Sequence, residues 1–146
     1  MNTIFTIGHT KTGLEHFIRR LQDAEVDAVI DIRLRNTSQL AGFAKREDLA
    51  FILREGFGIA YHHCPELAPT GEILDAYRAD GDWAAYEREF RRLLVKRDAT
   101  EIGRELLARH RRPCLLCSEP TADHCHRRLV AEWWASHLGD LEVTHL

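Results

Sequence analysis

The sequence predicts an α/β fold in three layers: a mostly parallel sheet of about five strands with helices on both faces. Three observations carry this. Short β-branched runs alternate with amphipathic helical patterns along the chain, each pair of runs is separated by enough residues for a helix, and no repeat or low-complexity stretch breaks the order. Strands joined through helices pair in parallel, and right-handed crossovers wound in both directions cover both faces. A length of 146 residues suits one domain, 1–146, with one core.

Residues 3–7 form a buried first strand that stops at Gly8. Thr12 and Glu15 have capping-box spacing, with Leu14, Phe17, Ile18 and Leu21 on one helical face behind them. Residues 26–32 make the second strand. A longer loop, 34–44, leads to a helix over 45–54 that carries Leu49, Ile52 and Leu53 inward. Residues 58–62 are a third strand, and 69–80 and 82–95 are helices, the latter striped by Trp83, Tyr86, Phe90, Leu93 and Leu94. A further helix starts at Asp98 and runs to about Arg111. Residues 113–117 are an apolar strand, 125–137 a helix, and 141–145 the last strand. The stretch Leu129, Val130, Ala131, Trp133 and Trp134 fits the inner side of that helix better than a dimer face.

Composition narrows the function classes. The chain is 45% hydrophobic and 29% charged with a formal net charge of −3, which is ordinary globular material and not a basic coat for nucleic acid. A local pocket for a phosphate or a single nucleotide remains compatible with that balance. No apolar run reaches the roughly 18–20 residues that span a bilayer, and the first residues lack the build of a signal peptide. The four cysteines, Cys64, Cys114, Cys117 and Cys125, are therefore expected to be reduced thiols in the cytoplasm.

The polar residues fall at strand ends. The first strand ends in Gly8-His9-Thr10, the second in Asp31-Ile32-Arg33, the third in Tyr61-His62-His63 and the fourth in Cys117-Ser118-Glu119. In an open parallel sheet these C-terminal ends share one edge, where such folds bind ligands. Alternation sends His62 and His63 to opposite faces, and His62 is the one expected at the site. Beyond the fourth strand, Cys125, His126 and Arg127 open a helix, whose N-terminus offers free N–H groups and a positive dipole end. That setting favours a thiolate at Cys125 and would hold a phosphate or carboxylate.

Four ordered segments carry a family resemblance: Thr6-Ile7-Gly8-His9; Asp31-Ile32-Arg33; Tyr61-His62 with Pro65-Glu66-Leu67; and Leu116-Cys117-Ser118-Glu119 followed by Cys125-His126-Arg127. Together they resemble the bacterial family catalogued as domain of unknown function 488, from Thr6 to about Trp134. The resemblance implies a compact α/β domain and a leaning towards nucleic-acid or nucleotide processing. It also implies a Pro and a Ser-Arg after the Asp-x-Arg motif, where this chain instead has Arg35-Asn36-Thr37-Ser38-Gln39.

Cys114-x-x-Cys117 followed by His124-Cys125-His126 superficially suggests zinc. On a strand, however, residues three apart point to opposite faces, and the pair has no turn residue between its cysteines. The H-x-E half of a zinc-deaminase signature is also missing, and a redox Cys-x-x-Cys opens a helix where this one ends a strand. No cofactor or metal is therefore predicted; a catalytic divalent ion held by His and Cys with an open position is the lesser alternative.

The expected function is a small hydrolase or group transferase acting on an anionic or nucleotide-like substrate, since no G-x-G-x-x-G or P-loop is present. Glu119 is the best general acid/base, His9 or His126 the second proton-transfer group, and Cys117 or Cys125 a nucleophile. Thr10, Asp31, Arg33, His62, Ser118 and Arg127 are expected to bind the substrate. The alternatives are a non-catalytic module for anions or nucleic-acid ends, and a metal-dependent enzyme.

Overall fold

Five strands, β1 (Asn2–Gly8), β2 (Ala28–Asp31), β3 (Ala60–His63), β4 (Pro113–Cys117) and β5 (Leu141–His145), pair in parallel throughout in the order β3-β2-β4-β1-β5. The computed structural model describes residues 2–146. The helices are α1 (Leu14–Asp23), α2 (Arg46–Phe51), α3 (Gly71–Asp80), α4 (Trp83–Lys96), α5 (Ala99–Arg109) and α6 (His126–Leu138). This is the three-layer α/β architecture that the alternating pattern predicts. Among the described residues no helix is long and apolar enough to cross a membrane.

Strand alternation sorts the core into two halves. Phe5, Ile7, Val29, Cys114 and Leu116 face Phe17, Ile18 and Leu21 of α1 and Leu49 of α2. Ile4, Ala28, Ile30 and Leu115 face the other way, onto Phe90 and Leu94 of α4 and Leu129, Val130 and Trp134 of α6. Trp134 is fully buried and donates its indole N–H to the Ala99 carbonyl at 2.8 Å, which locks α6 onto α5. The inward reading of that helix is thereby met.

Helices α1 and α2 carry the chain towards the β3 edge, and α3 to α6 carry it back towards β5. One hand of crossover in two directions requires opposite faces, as found. Neighbours β1 and β4 thus send their helices to opposite sides, the arrangement that in such folds puts ligand sites beyond the C-terminal strand ends. Backbone bonds bind its rim: Thr10 N–H donates to Ser118 O at 3.0 Å and Ile32 N–H to Leu116 O at 3.1 Å.

Two local expectations change. Helix α1 starts at Leu14 with Gly13 as its cap, and no side chain caps it. Lys11, at a left-handed φ of 60°, turns the chain so that the helix begins one residue later than capping by Thr12 requires. The helix predicted over 45–54 is α only to Phe51 and widens into a π turn over Ile52–Gly56.

Gly8 ends β1 where another chain segment passes. A Cβ there would lie 1.7 Å from the Glu119 carbonyl oxygen and 2.5 Å from Nη1 of Arg127. Backbone cannot yield as a side-chain tip can, so Gly8→Ala is expected to destabilise by at least the ~1–3 kcal/mol of an overpacked core. Urea unfolding checks this, and an unchanged midpoint would contradict the close approach.

Candidate functional site

After β2 the chain leaves the sheet through a buried charge pair. Arg33 donates Nε to Asp31 Oδ1 and Nη2 to Oδ2, both at 2.8 Å, and its backbone N–H reaches Oδ1 at 3.1 Å. Asn36 Nδ2 and the Tyr61 hydroxyl also donate to Oδ2. Asp31 is fully buried and Arg33 only 3% exposed. Burial alone would raise the Asp31 carboxyl, but the hydrogen bonds and charge of Arg33, with the Tyr61 hydroxyl, hold it below its ordinary value. The same carboxylate, after burial, pushes the Tyr61 phenol upward. Asp31 thus spends its lone pairs on protein donors, and its direct work is to hold Arg33.

Between them, Ile32 turns its carbonyl to Nε2 of His126 at 2.6 Å. A carbonyl only accepts, so Nε2 carries the proton and Nδ1 faces the Cys117 Sγ at 3.4 Å. Cys125, the N-cap residue of α6, makes no side-chain cap bond and instead turns its thiol to Cys117. Burial raises Cys117, yet the Cys125 hydrogen bond, the His126 charge and the Ser118 backbone N–H outweigh it and hold the thiol well below its ordinary value. Cys125 goes the other way, pushed up by burial and then by donating to Cys117. His126 is raised by Cys117 against the effect of burial. The expectation of a thiolate at Cys125 is therefore corrected: of the two neighbouring thiols the strand-end one is held the more acidic.

This cluster floors a cleft of about 130 Å³. Of the residues predicted from strand ends, Arg33, Cys117, Ser118, Glu119, Cys125 and His126 line it. Its far wall comes from Pro69, Leu74, Tyr77, Arg78 and Tyr86, and Arg35 and His124 complete the rim. Arg35 pairs with Asp75 of α3 at 3.1 Å, tying the loop after β2 to that wall. Sequence reasoning missed this wall, because α3 carries no strong apolar stripe to orient it; the signal available was the arginine in Arg35-Asn36, read there only as a departure.

The remaining predicted residues stand outside the cleft. His9 is close enough to feel Arg33, Cys117 and Asp31, and burial, then the Arg33 charge, pulls it below its ordinary value. Thr10 is exposed, holding the rim through its backbone. His62 turns to His110, with Nε2 atoms 3.0 Å apart, while His63 reaches the Arg33 carbonyl at 3.2 Å. The two histidines do part as alternation requires, and neither lines the cleft. Arg127 is 1% exposed and donates Nη1 to the Glu119 carbonyl at 2.6 Å, beneath Gly8. It supports the Cys117–Glu119 rim from behind. Cys114 lies in the opposite core half, as strand spacing predicts.

The family catalogued as Domain of unknown function DUF488 matches residues 13–134. The chain belongs to that family. No curated protein and no solved structure is similar enough to this chain to match it. Within this DUF488 member, the matched span holds the Asp31 network, the thiol–imidazole cluster and the whole lining of the cleft.

Asp31→Asn would leave Arg33 as a buried charge without its counter-charge, which costs about 3–5 kcal/mol. The pH dependence has a definite sign. Asp31 is more acidic folded than unfolded, so its contribution is complete above the unfolded value of about 3.9 and vanishes as pH falls through the lower folded value. Wild-type stability should drop below about pH 4 more steeply than that of the Asn variant. Parallel slopes in urea melts from pH 3 to 6 would contradict the pairing.

Proposed function

We propose that the chain is a small cytoplasmic enzyme, a hydrolase or group transferase, that acts on an anionic, nucleotide-like substrate held in this cleft. The observation that carries the reading is a buried thiol–imidazole floor, Cys117, Cys125 and His126, in a cleft that Arg33, Arg35 and Arg78 also line. Guanidinium groups in a fixed fork match phosphate and carboxylate oxygens. Arg33 uses Nε and one Nη2 proton on Asp31, leaving its other N–H groups for an anion. The cleft volume is suited to one phosphate-sized group, with the rest of a substrate extending past Tyr77 and His124. Tyr77, Tyr86 and His124 offer ring surfaces to a base there.

Glu119 at the rim is the group best placed to move a proton to or from a water or leaving group. In hydrolysis the water oxygen bonds to the substrate centre, the leaving group departs with its electron pair, and the proton released by water passes through the rim carboxylate to that leaving group.

Titrating ¹⁵N-labelled protein with phosphate and nucleoside monophosphates should shift amides of Arg33–Arg35 and Cys117–Glu119. Arg78→Ala, on an exposed position, should weaken that binding, as loss of a charge-assisted bond does, by about tenfold. On a panel of phosphate esters and nucleotides, Glu119→Gln should lose about 10²–10⁴ in turnover while binding persists. Shifts without turnover would leave a binding module, and no shift with any anion would overturn the proposal.

A further inference from the structure

We propose that Cys117, Cys125 and His126 are the three protein ligands of a tetrahedral zinc ion whose fourth position opens into the cleft. This rests on the functional reading above for the use of the site, and on geometry alone for its existence. The ligating atoms, two sulfurs and Nδ1, all lie within 4.8 Å of one another and are buried. Zinc bonds of about 2.3 Å to sulfur and 2.0–2.1 Å to nitrogen, at tetrahedral angles, put a sulfur and a nitrogen ligand about 3.6 Å apart. Cys117 Sγ and His126 Nδ1 are 3.4 Å apart.

Two further observations agree with an ion at this place. A histidine that ligates through one nitrogen commonly gives its other N–H to a backbone carbonyl, which fixes ring and tautomer; His126 does so with Ile32. Cys125 stands at the N-cap of a long helix, a position where an oxygen side chain would satisfy the first-turn amides. It makes no cap bond, and its sulfur lies within 4.8 Å of the Cys117 sulfur and the His126 ring nitrogen.

The donor set selects the metal. Two thiolates and an imidazole are soft and intermediate ligands that suit zinc and disfavour magnesium or calcium. Two thiolates also cancel the charge of the ion, so the filled site is neutral where it is buried. Among the described residues no fourth His, Cys, Asp or Glu joins the group. Closed structural zinc sites have four protein ligands, and three with a free position is the arrangement of catalytic ones. The strand spacing that separates Cys114 from Cys117 is no obstacle, because the partner thiol comes from the α6 start instead.

The test uses the full chain without an affinity tag, purified in reductant and without chelator. Elemental analysis after incubation with zinc and desalting should give about one zinc per chain. Cys117→Ala and Cys125→Ala should each lose it, while Cys64→Ala, outside the cluster, should keep it. Replacement by cobalt(II) should give tetrahedral visible bands and a thiolate charge-transfer band in wild type, which decides the matter even if the cysteine variants fail to fold. Wild type without stoichiometric metal and without the cobalt spectrum, or folded Cys117 and Cys125 variants that keep their zinc, would overturn the inference. Anion-induced shifts in a wild-type protein that takes up neither zinc nor cobalt would sink the metal and leave the functional reading standing. Zinc and cobalt signatures with no response to any anion or substrate would do the reverse.

Discussion

The Asp31 carboxylate is the constraint on which the site depends. A guanidinium cannot lie at the sheet edge with almost no exposure unless a counter-charge meets it, and here two short bonds from Arg33 meet one carboxylate. The same group gathers Asn36 from the following loop and Tyr61 from β3. Asn36 in turn accepts the Arg46 amide at 2.8 Å, where α2 begins. With residues 31 and 33 pinned, Ile32 between them has its carbonyl aimed, and that carbonyl orients His126. The pair contributes little to net stability against an apolar replacement; its consequence is position.

From that fixed point the chemistry is assembled by topology. Central strand β4 delivers Cys117 and α6 begins at Cys125 and His126, so the seven residues between the two cysteines bend one motif into a cluster. Arg127 and Gly8 let the rim lie close over β1, the first by donating to the Glu119 carbonyl and the second by having no side chain. Neither touches the cleft, and both determine where Ser118 and Glu119 sit.

Much of this was legible in the residues. Period-two apolar runs and helical stripes marked every strand and every helix that packs on the sheet, because burial on the sheet imposes those periods directly. The gathering of Asp31, Arg33, Cys117 and Glu119 at one edge followed from parallel connectivity. What failed depended on partners that no local pattern encodes. His62 turns to His110 rather than to the cleft, a pairing across 48 residues that follows from how β3 sits at the edge of the sheet. The Cys125 thiol is raised first by burial and then by the thiol beside it, long-range facts that helix-start electrostatics does not contain. Arg127 was expected to bind an anion at the helix start, and it serves a backbone carbonyl on the far side of the rim. The α3 wall, with Arg78 beside Tyr77, has weak amphipathicity, so its helical pattern was readable but not which side it turns to the site.

On the proposed function, anion and cluster share a single cleft. A crystal structure of the protein grown with zinc and phosphate tests it most directly. The account predicts an ion bonded to Cys117, Cys125 and His126, with phosphate oxygens in hydrogen-bond reach of Arg33. Phosphate bound only away from Arg33 and the α6 start, with the three side chains free of any ligand, would contradict it.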